Sequence, residues 1–157
     1  MGNQSLNKHN TREEASVIWK ERYNIGVPQI DDQHKELFKR VTGFVETVRS
    51  AQPWESKTEK INETLAFMKD YVVTHFADEE EFQEQIGYPD LEEHRRIHQD
   101  MVAYVAEVSR RYEQQEHPEV LMQQFAGKLL AWLINHVADC DNRIADYVRS
   151  KGDSIDE

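Results

Sequence analysis

The sequence predicts an all-α fold: an up-down-up-down antiparallel four-helix bundle with an extended N-terminal arm. Four long segments place apolar residues at alternating steps of three and four, which is the spacing of one face of an α-helix. Short stretches containing Pro or Gly separate these segments, and the 157 residues include only four prolines and six glycines. Long amphipathic helices joined by short connections pack as antiparallel neighbours, which is the bundle architecture.

The N-terminal region divides into a tail and an arm. Residues 1–16 are polar throughout, and we expect them to form a disordered tail. Residues 17–30 (VIWKERYNIGVPQI) are too apolar to be left in water, and Gly26 and Pro28 interrupt any helix there. We therefore expect an extended arm over 17–30, packed onto a domain that spans residues 17–150.

The first two helices are expected at about 32–50 and 56–86. Asp31 or Asp32 is the expected N-cap of the first helix, and the segment AQPWES after it contains Pro53 as a stop. The apolar face of the second helix alternates steps of four and three along its whole length. Such a regular face is typical of a helix that packs on a core.

The last two helices are expected at about 91–115 and 118–150. The turn GYPD separates the second and third helices, with Gly87 as the helix stop and Asp90 as the next N-cap. Pro118 suits the first turn of the fourth helix. The remaining residues, 151–157 (KGDSIDE), are expected to form a frayed acidic tail.

Composition excludes several classes of partner. A formal net charge of −11 argues against binding nucleic acid, which requires Lys and Arg to neutralise phosphates, and against an anionic membrane surface. Cys140 is the single cysteine, so the chain has no internal disulfide and suits a reducing compartment. The sequence contains no run of about 18 apolar residues, so no membrane insertion is expected. The prediction is a cytoplasmic protein.

Five of the seven histidines lie on the apolar faces of the four predicted helices, with acidic residues beside them. Burying one unpaired polar group costs roughly 2–7 kcal/mol, so a shared metal centre is the economical explanation for the whole set. The candidate metal ligands are His34, His75, Glu79, His94, His98, His136 and Asp141.

The residue types and spacing narrow the choice of metal. His94 and His98 are four residues apart, so they project from one face of a helix and can bind the same ion. Imidazole and carboxylate ligands together suit Fe, Mn or Zn rather than Mg or Ca. Five imidazoles and two carboxylates exceed the needs of one tetrahedral ion, whereas two ions bridged by carboxylates use all seven.

Spacing does not decide which acidic residue accompanies His136. Asp141 follows it by five residues, which is about 140° round an ideal α-helix. Asp139 and Cys140 follow it by three and four residues and are better placed on spacing alone. Asp139 and Asp141 therefore both stay open, and Cys140 is either a thiolate ligand or a small buried side chain.

Four segments closely resemble the hemerythrins, in particular the single-domain bacterial hemerythrins. They are IDDQHKELF (Ile30–Phe38), HFADEE (His75–Glu80), IGYPDLEEHRRIH (Ile86–His98) and HVADCDNRIADY (His136–Tyr147). The resemblance covers about residues 17–148, and the spacing of all seven candidate ligands matches.

This resemblance implies a non-haem di-iron centre that binds O2 inside the bundle. By resemblance, His94, His98 and His136 would hold one iron, and His34 and His75 would hold the other. The second iron would then keep an open position for O2. The implied function is reversible O2 binding for storage, delivery or sensing, without enzymatic activity, and a protein partner for delivery or signalling is a further option.

The resemblance also assigns the bridges between the two irons. Glu79 and Asp141 would bridge them together with an oxo or hydroxo group, so the family pattern selects Asp141 over Asp139. The alternative function for the same ligands is a di-iron enzyme that acts on peroxide or NO, or that oxidises iron.

Reversible binding requires a dry pocket, because water and protons favour loss of the bound oxygen in reduced form. The candidates to line it are Phe38, Phe76, Met101 and Trp132. At Gln83 the chain departs from the family pattern, where an apolar residue, commonly Met, is expected. Phe82 and Ile86 already occupy the apolar face, so we expect Gln83 to face solvent. In the core, it would bring a polar group near the centre and speed autoxidation.

Overall fold

The computed structural model describes residues 23–155, without the side chains of Cys140 and residues 152–155. Its elements are α1 (Pro28–Arg49), α2 (Trp54–Ile86), α3 (Leu91–Glu113), α4 (Pro118–Asn135), a six-residue π-helix π1 (His136–Asp141) and α5 (Asn142–Ile155). The last three elements follow one another without a break and form the fourth helix of the bundle. The predicted tail 1–16, the first part of the arm (17–22) and residues 156–157 lie outside the described residues.

The helices form the predicted four-helix bundle. Helix α1 packs against α2 and α4, and α3 packs against the same two helices. Each connection between them is four residues long, so consecutive helices run antiparallel. The all-α prediction is confirmed. Among the described residues, no helix is long and apolar enough to cross a membrane.

The core divides into an apolar end and a polar end. At the apolar end, Phe44, Ile61, Met122 and Phe125 are completely buried, and the rings of Phe44 and Phe125 meet edge to face at 5.6 Å. The polar end lies where α1 and α3 begin and where α2 and α4 end. The apolar end supplies most of the hydrophobic stabilisation, which leaves the opposite end free to hold polar side chains.

The start of α1 differs from the prediction. The helix begins at Pro28 rather than near residue 32, because proline has the right φ and needs no hydrogen-bond partner in the first turn. Asp31 therefore lies inside the helix, and the prediction of Asp31 or Asp32 as N-cap is wrong. The buried Asp31 carboxylate instead accepts hydrogen bonds from the backbone N–H groups of Ile25 (2.7 Å) and Gly26 (3.2 Å).

These hydrogen bonds hold the described part of the arm against the bundle. Tyr23 and Ile25 are buried, and the Tyr23 ring stacks on Phe38 with centroids 5.7 Å apart. The arm thus covers the polar end of the core at the point where α1 begins.

The end of the chain also differs from the prediction. Helix α5 continues to Ile155, so residues 151–155 are helical rather than frayed. Lys151 links this part of the helix to the end of α2, because its Nζ donates to the carbonyl of Ile86 at 3.1 Å; it also lies 5.1 Å from the Tyr147 ring centre.

Replacing Asp31 with Ala should lower the free energy of unfolding by about 1–3 kcal/mol, because two backbone N–H groups lose their acceptor. Urea unfolding of samples with equal metal content measures this change. The matched control is Asp32→Ala at the exposed neighbouring position, which should change stability by less than about 0.5 kcal/mol. Equal losses for the two variants would contradict the role assigned to Asp31.

Candidate metal centre

All seven predicted ligands come together at the polar end of the bundle, and none is more than 4% exposed. His34 comes from α1, His75 and Glu79 from α2, His94 and His98 from α3, and His136 and Asp141 from π1. Their ligand atoms form two sets, in each of which all atoms lie within 4.8 Å of one another. One set is His34, His75 and Glu79, and the other is Glu79, His94, His98 and His136.

The three-histidine set has the spacing of ligands around one ion. The Nε2 atoms of His94 and His98 each lie 3.1 Å from Nε2 of His136. With metal–nitrogen bonds of about 2.1 Å, neighbouring ligands are about 3.0 Å apart in an octahedron and about 3.4 Å apart in a tetrahedron. Both distances lie closer to the octahedral value than to the tetrahedral one.

Glu79 faces both sets of histidines with different oxygen atoms. Its Oε2 lies 3.0 Å from Nε2 of His34 and 3.5 Å from Nε2 of His75. Its Oε1 lies 3.2 Å from Nε2 of His94 and 3.5 Å from Nε2 of His98. One carboxylate oxygen is therefore available on each side, as a bridging ligand requires.

Asp141 repeats this arrangement. Its Oδ2 lies 3.0 Å from Nε2 of His34, and its Oδ1 lies 3.1 Å from Nε2 of His94 and 3.3 Å from Nε2 of His136. The two carboxylates thus link the same two halves of the site.

The hydrogen bonding of the site fits bound cations. Oε1 of Glu79 and both carboxylate oxygens of Asp141 are buried and accept no hydrogen bond of good geometry from the described residues, although the nearest histidine nitrogens lie 3.0–3.2 Å away. Leaving a buried carboxylate oxygen unsatisfied is costly, more so than for a neutral group. Cations between the two carboxylates and the imidazoles would satisfy these oxygens.

The π-helix explains how Asp141 reaches the site. In a π-helix the backbone hydrogen bonds connect residues five apart, so residue i+5 lies over residue i as residue i+4 does in an α-helix. His136 and Asp141 are the first and last residues of π1, and both point into the core. Asp139, the alternative that spacing favoured, has a side chain 67% exposed and pairs with Arg143 at 3.4 Å. The Cys140 side chain lies outside the described residues.

Two outer hydrogen bonds orient the histidines. Nδ1 of His75 lies 2.8 Å from Oε1 of Gln33, and Nδ1 of His98 lies 3.2 Å from Oε2 of Glu80. An acceptor at Nδ1 places the ring proton there and leaves the Nε2 lone pair facing the other ligands. Neither Gln33 nor Glu80 is among the ligands predicted from the sequence. Their sole signal was position, since each directly adjoins a predicted ligand.

Gln83 does not face solvent, so that prediction is wrong. Its side chain is completely buried, and its amide nitrogen contacts Nδ1 of His94. The reason is helical geometry: Gln83 follows Glu79 by four residues and therefore lies on the same face one turn later. Phe82 and Ile86 are only partly buried.

Aromatic rings cover the outer side of two histidines. The Phe76 ring is parallel to the His98 ring at 3.8 Å, and the Trp132 ring is nearly parallel to that of His136 at 4.5 Å. Of the other two residues predicted to line a dry pocket, Phe38 stacks on Tyr23, and Met101 is buried in the apolar core.

The pKa values describe a site that is ready to exchange a proton for a metal ion. Burial disfavours the charged form of His34, but Asp141 and Glu79 outweigh it and raise its pKa to about 10. For His75 and His136, burial prevails and lowers the pKa to about 4. Burial also opposes ionisation of the two carboxylates, but the surrounding imidazoles hold both of their pKa values below the usual range.

The fold and the site define a class of protein: a four-helix bundle that holds a histidine-rich, carboxylate-linked metal site. Residues 25–148 match the family model of the hemerythrin HHE cation binding domain. Because the match covers well over half of the chain, the chain belongs to the hemerythrin family, and the resemblance noted in the sequence is confirmed.

Curated relatives agree with this assignment. A bacteriohemerythrin of Stenotrophomonas maltophilia is 30% identical over 136 residues, which cover 87% of this chain and 84% of the relative. A bacteriohemerythrin of Clostridium acetobutylicum is 24% identical, over 82% of this chain and 98% of the relative. A myohemerythrin of Theromyzon tessulatum is 27% identical, over 78% and 86% of the two chains.

The protonation of the metal-free site can be measured by NMR titration of the ring nitrogens. With a pKa of about 10, His34 should stay an imidazolium between about pH 7 and 9, whereas His75 and His136 should stay neutral. Since an ion binds only the neutral ring, metal affinity should rise with pH until His34 loses its proton. Titration of His34 near its ordinary pKa of about 6.5, with no pH dependence of affinity above that value, would contradict this description.

Proposed function

We propose that the protein binds O2 reversibly at a non-haem di-iron centre held by the seven clustered residues. The observation that carries the proposal is the unequal division of the imidazoles: three on one side of the two carboxylates and two on the other. Two structural ions in equivalent sites would be expected to have equal numbers of histidine ligands. In this proposal, His94, His98 and His136 would hold one ion, His34 and His75 would hold the other, and Glu79 and Asp141 would offer one carboxylate oxygen to each.

The two-histidine side has one protein donor fewer. An ion held there would keep a free coordination position, and we assign O2 to that side. Iron held on both sides in the ferrous state would supply the two electrons that reversible binding of O2 requires. Gln33 keeps the His75 ring in the required tautomer through the 2.8 Å contact at Nδ1. The pKa of His34, raised to about 10 in the absence of metal, means that loading the site displaces a proton from this ring.

Water exclusion supports reversible binding rather than turnover. His34, His75, Glu79 and Asp141 are at most 1% exposed, so bulk water is kept away from this side. The aromatic rings of Phe76 and Trp132 shield the three-histidine side. A closed and dry site limits the entry of protons, which would otherwise release the bound oxygen in reduced form.

The donor set favours an O2 carrier over a di-iron oxidase. Ferritin-like di-iron proteins use mostly carboxylates, with four Glu and two His from the bundle helices. This site has the opposite composition, with five imidazoles and two carboxylates, all buried. The names of the relatives, bacteriohemerythrin and myohemerythrin, agree with the proposal. Storage, delivery and sensing are the roles that such binding would serve.

The direct test is an O2 binding cycle followed by visible spectroscopy and iron analysis. The purified protein is reduced without oxygen, exposed to O2, and then returned to an O2-free atmosphere. Two irons per chain and an absorption band that appears with O2 and disappears on its removal are the expected result. A band that converts irreversibly to the oxidised form, or turnover with peroxide or NO, would favour the enzymatic alternative. A protein that purifies with zinc alone and shows no spectral change with O2 would refute both the carrier and the enzyme hypothesis.

The choice of Asp141 as a bridge is tested by a matched pair of substitutions on π1. Asp141→Asn keeps the shape of the side chain but removes the charge that faces His34, His94 and His136, so the protein should lose at least one of about two irons. Asp139→Asn changes the same chemistry at an exposed position and should keep full iron content. Elemental analysis of both variants, purified in parallel with the wild type, gives the iron per chain. Full iron content in Asp141→Asn would show that this residue is not a ligand.

A further inference from the structure

Gln83 is a buried polar residue that the proposed ligand set does not use. Its side chain is completely buried on α2, one turn beyond Glu79. Its amide nitrogen contacts Nδ1 of His94, and its Oε1 has no hydrogen-bond partner among the described residues. Placing a primary amide in a bundle core is costly unless both ends are satisfied.

The contact between Gln83 and His94 constrains the tautomer of the imidazole. In the observed orientation of the amide, its N–H donates to Nδ1. The ring proton of a neutral His94 therefore lies on Nε2, where it faces Glu79 and Asp141. A metal ion at Nε2 needs a lone pair there, which moves the ring proton to Nδ1. A half-turn of the amide then presents Oε1 to Nδ1–H and gives the unsatisfied acceptor its partner.

We propose that Gln83 is a positioning residue for His94, whose Oε1 accepts the Nδ1–H hydrogen bond when the site is loaded. This inference rests on the proposed di-iron function. Gln83 would do for His94 what Gln33 does for His75 and what Glu80 does for His98. For comparison, Nδ1 of His136 has no hydrogen-bond partner among the described residues, and Trp132 stacks on that ring instead.

The consequence for the iron is electronic as well as geometric. An acceptor at Nδ1–H makes the imidazole a stronger donor, and a stronger donor favours the ferric over the ferrous state. Gln83 should therefore tighten iron binding in the three-histidine half and lower its reduction potential. An apolar residue at this position would leave Nδ1–H buried without an acceptor. It would neither tighten iron binding nor lower the reduction potential.

The experiment compares Gln83→Met, Gln83→Glu and the wild type, each purified with iron. Met has a similar length and no strong acceptor, whereas Glu keeps an acceptor oxygen at the same distance. Gln85→Met, two residues along on the exposed face of α2, is the matched control. The measurements are the rate of iron loss to a chelator, the midpoint potential, and the solvent exchange of the ring N–H protons of the reduced protein by hyperfine-shifted NMR.

Gln83→Met should lose iron about 10–100-fold faster than the wild type, have a higher midpoint potential and show one ring N–H that exchanges faster. Gln83→Glu should restore slow iron loss, and Gln85→Met should match the wild type.

If Gln83→Met folds but matches the wild type in iron loss and potential, the inference is overturned and the proposed function stands. If Gln83→Met does not fold, the wild-type spectrum alone decides, because a rapidly exchanging His94 N–H would also overturn the inference. A wild-type protein without iron would instead overturn the proposed function.

Discussion

The structure depends on one constraint: the carboxylates of Glu79 and Asp141 are completely buried at one end of a helical bundle and need positive charge. A protonated His34 supplies part of that charge in the metal-free protein, as its pKa of about 10 indicates. The remaining carboxylate oxygens have no hydrogen-bond partner among the described side chains. Metal ions would satisfy them, and all five imidazoles present Nε2, rather than Nδ1, to the space between the two carboxylates.

The apolar end of the bundle contributes mainly to folding, and the polar end holds the clustered histidines and carboxylates. Around Phe44 and Phe125 the core is apolar and needs no cofactor to pack. The polar end is stabilised by other contacts: the arm held by Asp31, the contacts at Nδ1 of His75, His94 and His98, and the rings of Phe76 and Trp132. Such an arrangement allows a bundle to carry a polar cluster that would disrupt a core of uniform composition.

Periodicity in the sequence was enough to predict the four helices and the inward positions of His34, His75, Glu79, His94 and His98. All of these lie on regular α-helices, where apolar spacing reports directly on which face is buried. The same reasoning left Asp139 and Asp141 undecided, because it assumes about 100° per residue and π1 does not follow that rule. It was also wrong for Gln83, because Phe82 and Ile86 were taken to fill a face that Glu79 shares with residue 83. Asp31 was misassigned because it accepts hydrogen bonds from backbone N–H groups of the arm, not of the helix that contains it.

The π-helix has a further consequence for the relation between α4 and α5. A π turn amounts to one residue more than an α-helix of the same length, so it shifts the phase of every side chain that follows it by about 100°. Leu129 and Leu133 before π1, and Ile144 and Ala145 after it, are all buried, yet they follow two different helical registers. Deleting one residue from π1 would restore an unbroken α-helix and rotate the buried face of α5 away from the arm, where Ala145 packs near Ile25 and Ile30. The metal site and the packing of the C-terminal helix are therefore tied to the same single-residue insertion.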